Sequence, residues 1–263
     1  MEEKKIMTAE ILRQELLAKG VMKLVLCAPE AARAARAGQF VNVYTEDSAL
    51  LLPRPISICD AEGDRLMLVY GIVGRGTQWF SKRCADEHLR ISTPLGNGYD
   101  LSDIKPGDSA LLFGGGIGVP PMVKLAKTLT AMGVSVRAAA GFRDESFLLE
   151  ELSAAGAQTL CATDSGREGY RGTALSAAED VGWSGDHWFA CGPKPMLAAV
   201  AKAALACGKD AQVSMEERMG CGYGACVGCT VDVKPQDAMQ PVRKKVCKDG
   251  PVFLGSEVFF DER

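Results

Sequence analysis

The stretch CGYGACVGC, residues 221–229, places three cysteines within nine positions, and a fourth, Cys247, follows after seventeen more residues. This C-x4-C-x2-C-x17-C spacing constrains the chain more than any other feature in it. Cysteines grouped so closely form disulfides in an oxidising compartment, whereas in a reducing one they point to metal binding or catalysis. The start MEEKKIMTAEILRQ is charged and has no apolar stretch followed by a small-residue cleavage site, so the cytoplasm is the expected compartment. The longest uncharged run, Ser109 to Val123, has 15 residues and is broken by four glycines and two prolines, too short and too interrupted to span a membrane. Metal or redox chemistry is what remains.

The first three cysteines match the plant-type 2Fe-2S spacing, with the fourth ligand supplied from farther along the chain. Gly222, Gly224 and Gly228 let the loop wrap tightly and turn backbone amides toward the sulfurs. Two other readings stay open at this point. Structural zinc prefers two closely spaced cysteine pairs, and here Cys247 stands alone. A thiol redox pair at Cys226 and Cys229 would be expected at the start of a helix in a βαβ unit. The six other cysteines, Cys27, Cys59, Cys84, Cys161, Cys191 and Cys207, fall mostly in apolar runs and read as small hydrophobes.

A chain of 263 residues exceeds the usual single-domain size, and 47% apolar with 24% charged residues is ordinary for a globular protein with a real core. The net charge of -3 offers no basic excess for nucleic acid. Three regions follow from the rhythm of the sequence. Residues 1–103 carry short apolar or alternating runs between turn residues (GVMKLVLCAP, GQFVNVYT, RPISICDAEGD, RLMLVYGIVG, HLRISTPLGNG), which suggests a small antiparallel β-barrel. Residues 104–213 alternate strand and helix. ALLF leads through glycines into a helix marked by Met122, Leu125, Ala126, Leu129 and Met132, and VSVRAAAGF, AQTLCAT and HWFACG read as buried strands. Helices are expected between them around 145–152, 173–180 and 194–207, giving a doubly wound parallel sheet. Residues 214–263 are Gly- and Cys-rich and too few to build a core of their own.

FGGGIGVPPM, residues 113–122, leaves a strand and enters a helix, where bare amides and a helix N-terminus can hold a pyrophosphate; Gly114, Gly115, Gly116 and Gly118 are the candidate positions. It lacks both the Walker ending and the G-x-G-x-x-G pattern. CGPKPM, residues 191–196, ends another strand at the same edge of the sheet and faces the same crevice. In the barrel, RPIS (Arg54, Pro55, Ile56, Ser57) offers a guanidinium and a hydroxyl, and GRGT (residues 74–77) offers amides and a hydroxyl suited to phosphate.

In this order, RPIS, GGGIG and CGPKPM resemble the ferredoxin reductase superfamily, an FAD-binding barrel followed by an NAD-binding sheet. The tail, MEERMGCGYGACVGCTV with VCKDGPVF, resembles the electron-transfer subunits of the NAD-linked, type B dihydroorotate dehydrogenases, and the likeness spans essentially the whole chain. It implies an FAD-binding β-barrel domain, a doubly wound NAD domain and a small C-terminal 2Fe-2S domain. By the same resemblance Arg54, Pro55, Ile56 and Ser57 hold FAD, with Ser57 near the reactive edge of the ring and Arg54 near the phosphates. Val69, Tyr70 and Gly71 line that cofactor, and Gly76 and Thr77 bind its diphosphate. Many relatives carry arginine where this chain has Gly71. Gly114 to Gly118 and Cys191, Gly192 and Pro193 receive NAD, Cys191 lying beside the nicotinamide, and Cys221, Cys226, Cys229 and Cys247 ligate the cluster.

The implied activity is an electron relay in pyrimidine biosynthesis: an FMN-containing catalytic partner oxidises dihydroorotate, and electrons pass through the 2Fe-2S cluster and FAD to NAD. A heterotetramer with two of each chain is the implied assembly. A nicotinamide moves electrons in pairs and a cluster moves them singly, so a flavin must stand between them. His88 and His187 are expected to be structural. GFRDES, with Arg143 beside Asp144 and Glu145, shows no cluster of arginines for a 2'-phosphate, which favours NAD over NADP. The flavin and iron-sulfur subunit of another NAD(P)H-linked complex, such as a sulfhydrogenase or a ferredoxin-dependent transhydrogenase, would share these signatures. A zinc-stapled binding module is the non-enzymatic alternative.

Overall fold

The structure is a computed structural model that describes residues 5–235 and 238–260. Met1 to Lys4 of the charged start and residues 261–263, at the outer ends of the first and last expected domains, lie outside the described residues, as do Gln236 and Asp237.

Six strands close into an antiparallel barrel: β1 (Ile6–Ala18), β2 (Val21–Cys27), β3 (Phe40–Tyr44), β4 (Arg54–Glu62), β5 (Arg65–Gly71) and β6 (His88–Ser92), hydrogen-bonded in the order β1-β2-β5-β4-β3-β6. Helix α1 (Pro29–Ala34) follows β2, and α2 (Arg75–Phe80) follows β5. Strand β1 is not among the runs expected from sequence. Its Glu, Leu, Gln and Ala content favours helix, and register shifts between Ile11 and Arg13 and between Leu16 and Ala18 break its alternation. It is a strand because it pairs on both sides, with β2 and β6, and so closes the barrel. Ile11, Leu24, Val41, Ile58, Leu68 and Ile91 fill the interior, each contributing about 1.5–3 kcal/mol by leaving water. Tyr70 and Phe80 meet edge to face there at 6.0 Å. Gln14 makes the polar atoms at this end tolerable: its Oε1 accepts from Tyr70 Oη (3.0 Å) and its Nε2 donates to the carbonyls of Phe80 (3.0 Å) and Arg83 (2.7 Å).

The second region runs β7 (Ser109–Gly115), α3 (Pro120–Ala131), β8 (Ser135–Phe142), α4 (Leu149–Ala154), β9 (Gln158–Thr163), β10 (Tyr170–Arg171), α5 (Ala174–Asp180), β11 (His187–Cys191), α6 (Lys194–Ala206) and β12 (Ala211–Ser214). The helix expected around 145–152 begins later. The Glu145 carboxylate accepts the amide of Lys19 (3.0 Å), and the Ser146 amide donates to Glu168 (2.9 Å), holding those residues in a loop. The tail supplies β13 (Thr230–Val233), β14 (Val242–Lys245), α7 (Val246–Asp249) and β15 (Val252–Leu254). The large sheet has the order β10-β9-β8-β7-β11-β12-β15, with all pairs parallel except β12 and β15. The chain order turns back between β7 and β11, the switch point at which an open α/β sheet leaves a crevice at its carboxyl edge.

The tail obtains its core by sharing. Cys229, Val231, Val246, Cys247 and Phe253 pack in one buried cluster with Phe40 and Leu95 of the barrel region and Trp188 and Val213 of the sheet. Barrel and sheet are joined by a second apolar cluster that includes Val69, Tyr99, Val119 and Phe189. Lys127 of α3 reaches Asp60 (3.1 Å) and Glu62 (2.7 Å) of β4. Exposed pairs of this kind add about 0–1 kcal/mol, so the apolar seam dominates. His187 Nε2 is hydrogen-bonded to Asp108 Oδ2 at 3.0 Å. Among the described residues, no helix is long and apolar enough to cross a membrane.

Candidate functional site

At the switch point Cys191, the last residue of β11, pairs with Gly114 near the end of β7. The glycine loop therefore touches the CGPKPM turn main chain to main chain. A Cβ on Gly115 would stand 2.7 Å from Met196 Sδ and 2.9 Å from Pro193 Cδ, and one on Gly118 would collide with the Cys191 carbonyl. Gly116 differs: its φ is +52° and the space beside it is open. The two motifs thus form one concave edge, and since Pro120 and Pro121 have no N–H and the Met122 amide donates to the Val119 carbonyl (3.0 Å), its main-chain donors come from the glycine turn before α3 rather than from the helix itself. Pro120 opens that helix and needs no donor there. This glycine-rich cradle fits a dinucleotide diphosphate.

Cys191 is half-buried at this edge. Burial pushes its thiol up to about 12, the Ser214 hydroxyl acting the other way and the Glu216 charge adding to the rise, so it stays a neutral thiol. The Tyr99 hydroxyl, also raised by burial, donates to the Ala190 carbonyl at 3.2 Å. Neither group is placed to act as a base near neutral pH.

On the barrel, RPIS and GRGT come together. The Arg54 guanidinium lies directly over Gly76, where any Cβ would collide with it. Arg54 Nη1 donates to the carbonyls of Leu50 (3.4 Å) and Leu52. The Thr77 hydroxyl, read from sequence as a phosphate contact, is used inside the turn. It accepts from Val73 (3.0 Å) and Gly74 (3.2 Å) and donates to the Gly74 carbonyl (3.1 Å), which leaves the α2 amides as what this turn offers an anion. Pro55, Ile56 and Ser57 are half-buried on β4. Val69 and Tyr70, expected from the resemblance to line a cofactor, present main chain rather than side chain at this edge of the barrel. Tyr70 points into the barrel toward Gln14, and Val69 is sealed in the seam with the sheet. Gly71 is different, because a Cβ there would meet only Val73 Cγ1 at 3.4 Å.

The four tail cysteines stand as two pairs, and among the described residues no three metal-ligating side chains gather around one point. Cys229 Sγ and Cys247 Sγ are 3.2 Å apart and buried, and the Cys226 amide donates to Cys221 Sγ at 3.4 Å. Burial raises the Cys221 thiol, but the amides of Cys226 and Tyr223, the Cys226 side chain and the Ala225 amide more than offset this and hold it down at about 6. Burial and the adjoining Cys229 push Cys247 up to about 12. One sulfur is thus already cradled as a thiolate, while a buried one needs a bound cation to become one. Sulfur donors with amides turned toward them are the chemistry of a thiolate-held metal cluster. Lys245 Nζ donates to the Gly224 carbonyl at 2.7 Å and the Lys248 side chain lies over Gly224, so two lysines serve this loop.

Asn42 was not visible as a site residue in the sequence. Its side chain, fully buried on β3, donates from Nδ2 to the Cys221 carbonyl at 2.9 Å. A polar residue inside the apolar run FVNVY was the available signal.

Comparison with known proteins agrees with this geometry. Residues 216–259 match the model of the iron-sulfur cluster binding domain of dihydroorotate dehydrogenase B. A dihydroorotate dehydrogenase B (NAD(+)), electron transfer subunit, from Streptococcus mutans is 39% identical over 254 residues, covering 95% of this chain and 97% of the relative. A protein of the same description from Bacillus caldolyticus is 40% identical over 250 residues, covering 93% and 95%. A solved NADH-dependent reduced ferredoxin-NADP oxidoreductase superposes with a TM-score of 0.84 at 27% identity, covering 96% of this chain and 90% of that one.

Proposed function

Because the chain belongs to the family of dihydroorotate dehydrogenase B electron transfer subunits, we propose that its three sites form a relay from a dihydroorotate-oxidising, FMN-containing catalytic subunit to NAD in pyrimidine biosynthesis. The cluster supplies one-electron steps, NAD two-electron steps, and FAD the exchange between them. Cys221 with Cys226 and Cys229 with Cys247 hold the 2Fe-2S cluster. Arg54, Pro55, Ile56 and Ser57, with Gly71, Gly76 and Thr77 and the main chain of Val69 and Tyr70, hold FAD. Gly114, Gly115, Gly116 and Gly118, with Cys191, Gly192 and Pro193, receive NAD.

The observation that carries this reading is the amide cradle at Cys221 beside the sulfur pair at Cys229 and Cys247, in a tail seated on the outer face of β3. Strand β3 is the direct neighbour of the RPIS strand, Phe40 opposing Ser57 and Asn42 opposing Pro55. A cluster held by these cysteines would sit beside β3, one strand from the RPIS residues. No side chain of this chain has to move a proton for hydride exchange, which agrees with the neutral state of Cys191. Two copies of each subunit in the cytoplasm complete the proposal.

Iron, sulfide and flavin analysis of anaerobically prepared protein tests it, together with identification of the flavoprotein that copurifies. Iron and sulfide with FAD and a dihydroorotate-oxidising partner are expected. Zinc alone in a colourless protein would overturn the reading, and a hydrogenase partner would reassign the complex.

A further inference from the structure

Strand β3 carries two outward residues that the barrel interior does not use. Val41 and Val43 face the barrel core, whereas Phe40 packs in the cluster that contains Cys229 and Cys247, and Asn42 meets the cysteine loop. The Asn42 amide nitrogen donates to Ser92 Oγ at 2.9 Å, which fixes the backbone on the barrel side. Its side chain is fully buried; Nδ2 bonds the Cys221 carbonyl, and Oδ1 has no partner among the described residues. An unsatisfied buried carbonyl oxygen costs about 1–3 kcal/mol, so stability alone would favour an apolar residue of the same shape here. On the loop side, Gly222, at φ +76°, presses so close that any Cβ would collide with Asn42 Oδ1. The carboxamide is clamped between β3, the neighbour of the flavin strand, and the ligand loop.

We propose that Asn42 is a positioning residue that fixes the Cys221 side of the cysteine loop to β3, the neighbour of the flavin-binding strand, through its Nδ2 hydrogen bond, and so sets electron exchange between cluster and flavin. The inference rests on the function proposed above and deepens it. Asn42 touches neither reacting group directly. It acts through the Cys221 main chain on one side and through its ladder partner Pro55 on the other. Groups in this outer position commonly alter the affinity or activity of a metal site by about ten- to a hundredfold.

The test uses the full chain loaded with FAD and iron, comparing the parent with Asn42→Leu. Flavin reduction by NADH, followed by stopped-flow absorbance, should be unchanged. Arrival of an electron on the cluster, followed by rapid-freeze paramagnetic resonance, should slow by about tenfold, and the cluster's reduction potential should shift with iron content intact. Gly222→Ala pushes the same two groups apart from the loop side while leaving the barrel untouched, so it reads the same quantities should Asn42→Leu fail to fold. The double variant should be no worse than the more impaired single one, because both break one contact. A potential and transfer rate matching the parent in either single variant would overturn the role of Asn42. A parent protein without iron would instead overturn the proposed function itself.

Discussion

The nucleotide crevice is made almost wholly of main chain, whereas the cysteine site is made of side chains hung on a loop. At the crevice, Gly115 and Gly118 matter for the atoms they lack, since Met196, Pro193 and the Cys191 carbonyl occupy the space a Cβ would take. In the tail, the glycines clear the way for amides to reach Cys221, and the chemistry resides in four sulfurs. A main-chain site is held by the sheet that makes it, while a loop of ligands depends on whatever its flanks are packed against.

The contrast breaks if damage in one region spreads to the other. The largest expected effect is from Cys226→Ser, which should abolish the cluster signal and partner-linked electron flow while leaving NADH-dependent flavin reduction close to that of the parent. Steady-state assays with and without the catalytic subunit check this. Gly118→Ala is the reciprocal change. Its Cβ overlaps the Cys191 carbonyl, so unfolding stability should fall by about 1–3 kcal/mol and KM for NADH should rise by about tenfold, with iron content unchanged. Chemical denaturation and kinetics on the same preparation read both values. Tyr70→Phe sharpens the border of the flavin site: losing the bond to Gln14 should cost about 1 kcal/mol of stability and leave FAD affinity unaltered, as measured by denaturation and by fluorescence titration. Gly71→Arg should have the smallest effect, tightening FAD by about threefold, since the position has room for a side chain.

The two regions were also unequally legible. Cysteine spacing and the strand-glycine-helix order of residues 113–122 are local patterns, so each motif could be read where it stands. That Gly118 would abut Cys191 depends on β7 and β11 being neighbours, and this follows from sheet order rather than from either motif. The inward turn of Tyr70 was hidden because both faces of β5 are buried, one in the barrel and one in the seam, which erases the alternation that assigns a side. Strand β1 was missed for the opposite reason: its helix-forming residues are overridden by pairing on two sides. Asn42 was illegible because its partner lies 179 residues away.

Strand β15 gives the tail an unexpected topology. The chain leaves the sheet after β12, passes through the cysteine loop and the β13–β14 hairpin, and returns to pair with β12, Ser214 meeting Val252 and Gln212 meeting Leu254. The metal-binding segment is therefore a closed excursion sewn at both ends into the sheet beside the nucleotide crevice. Cutting it away would strip the last strand from an edge and bare its hydrogen-bonding groups to self-association. Such a segment cannot be shuffled between proteins as a detachable cassette; a transplant would have to bring the host sheet's final strand along with it.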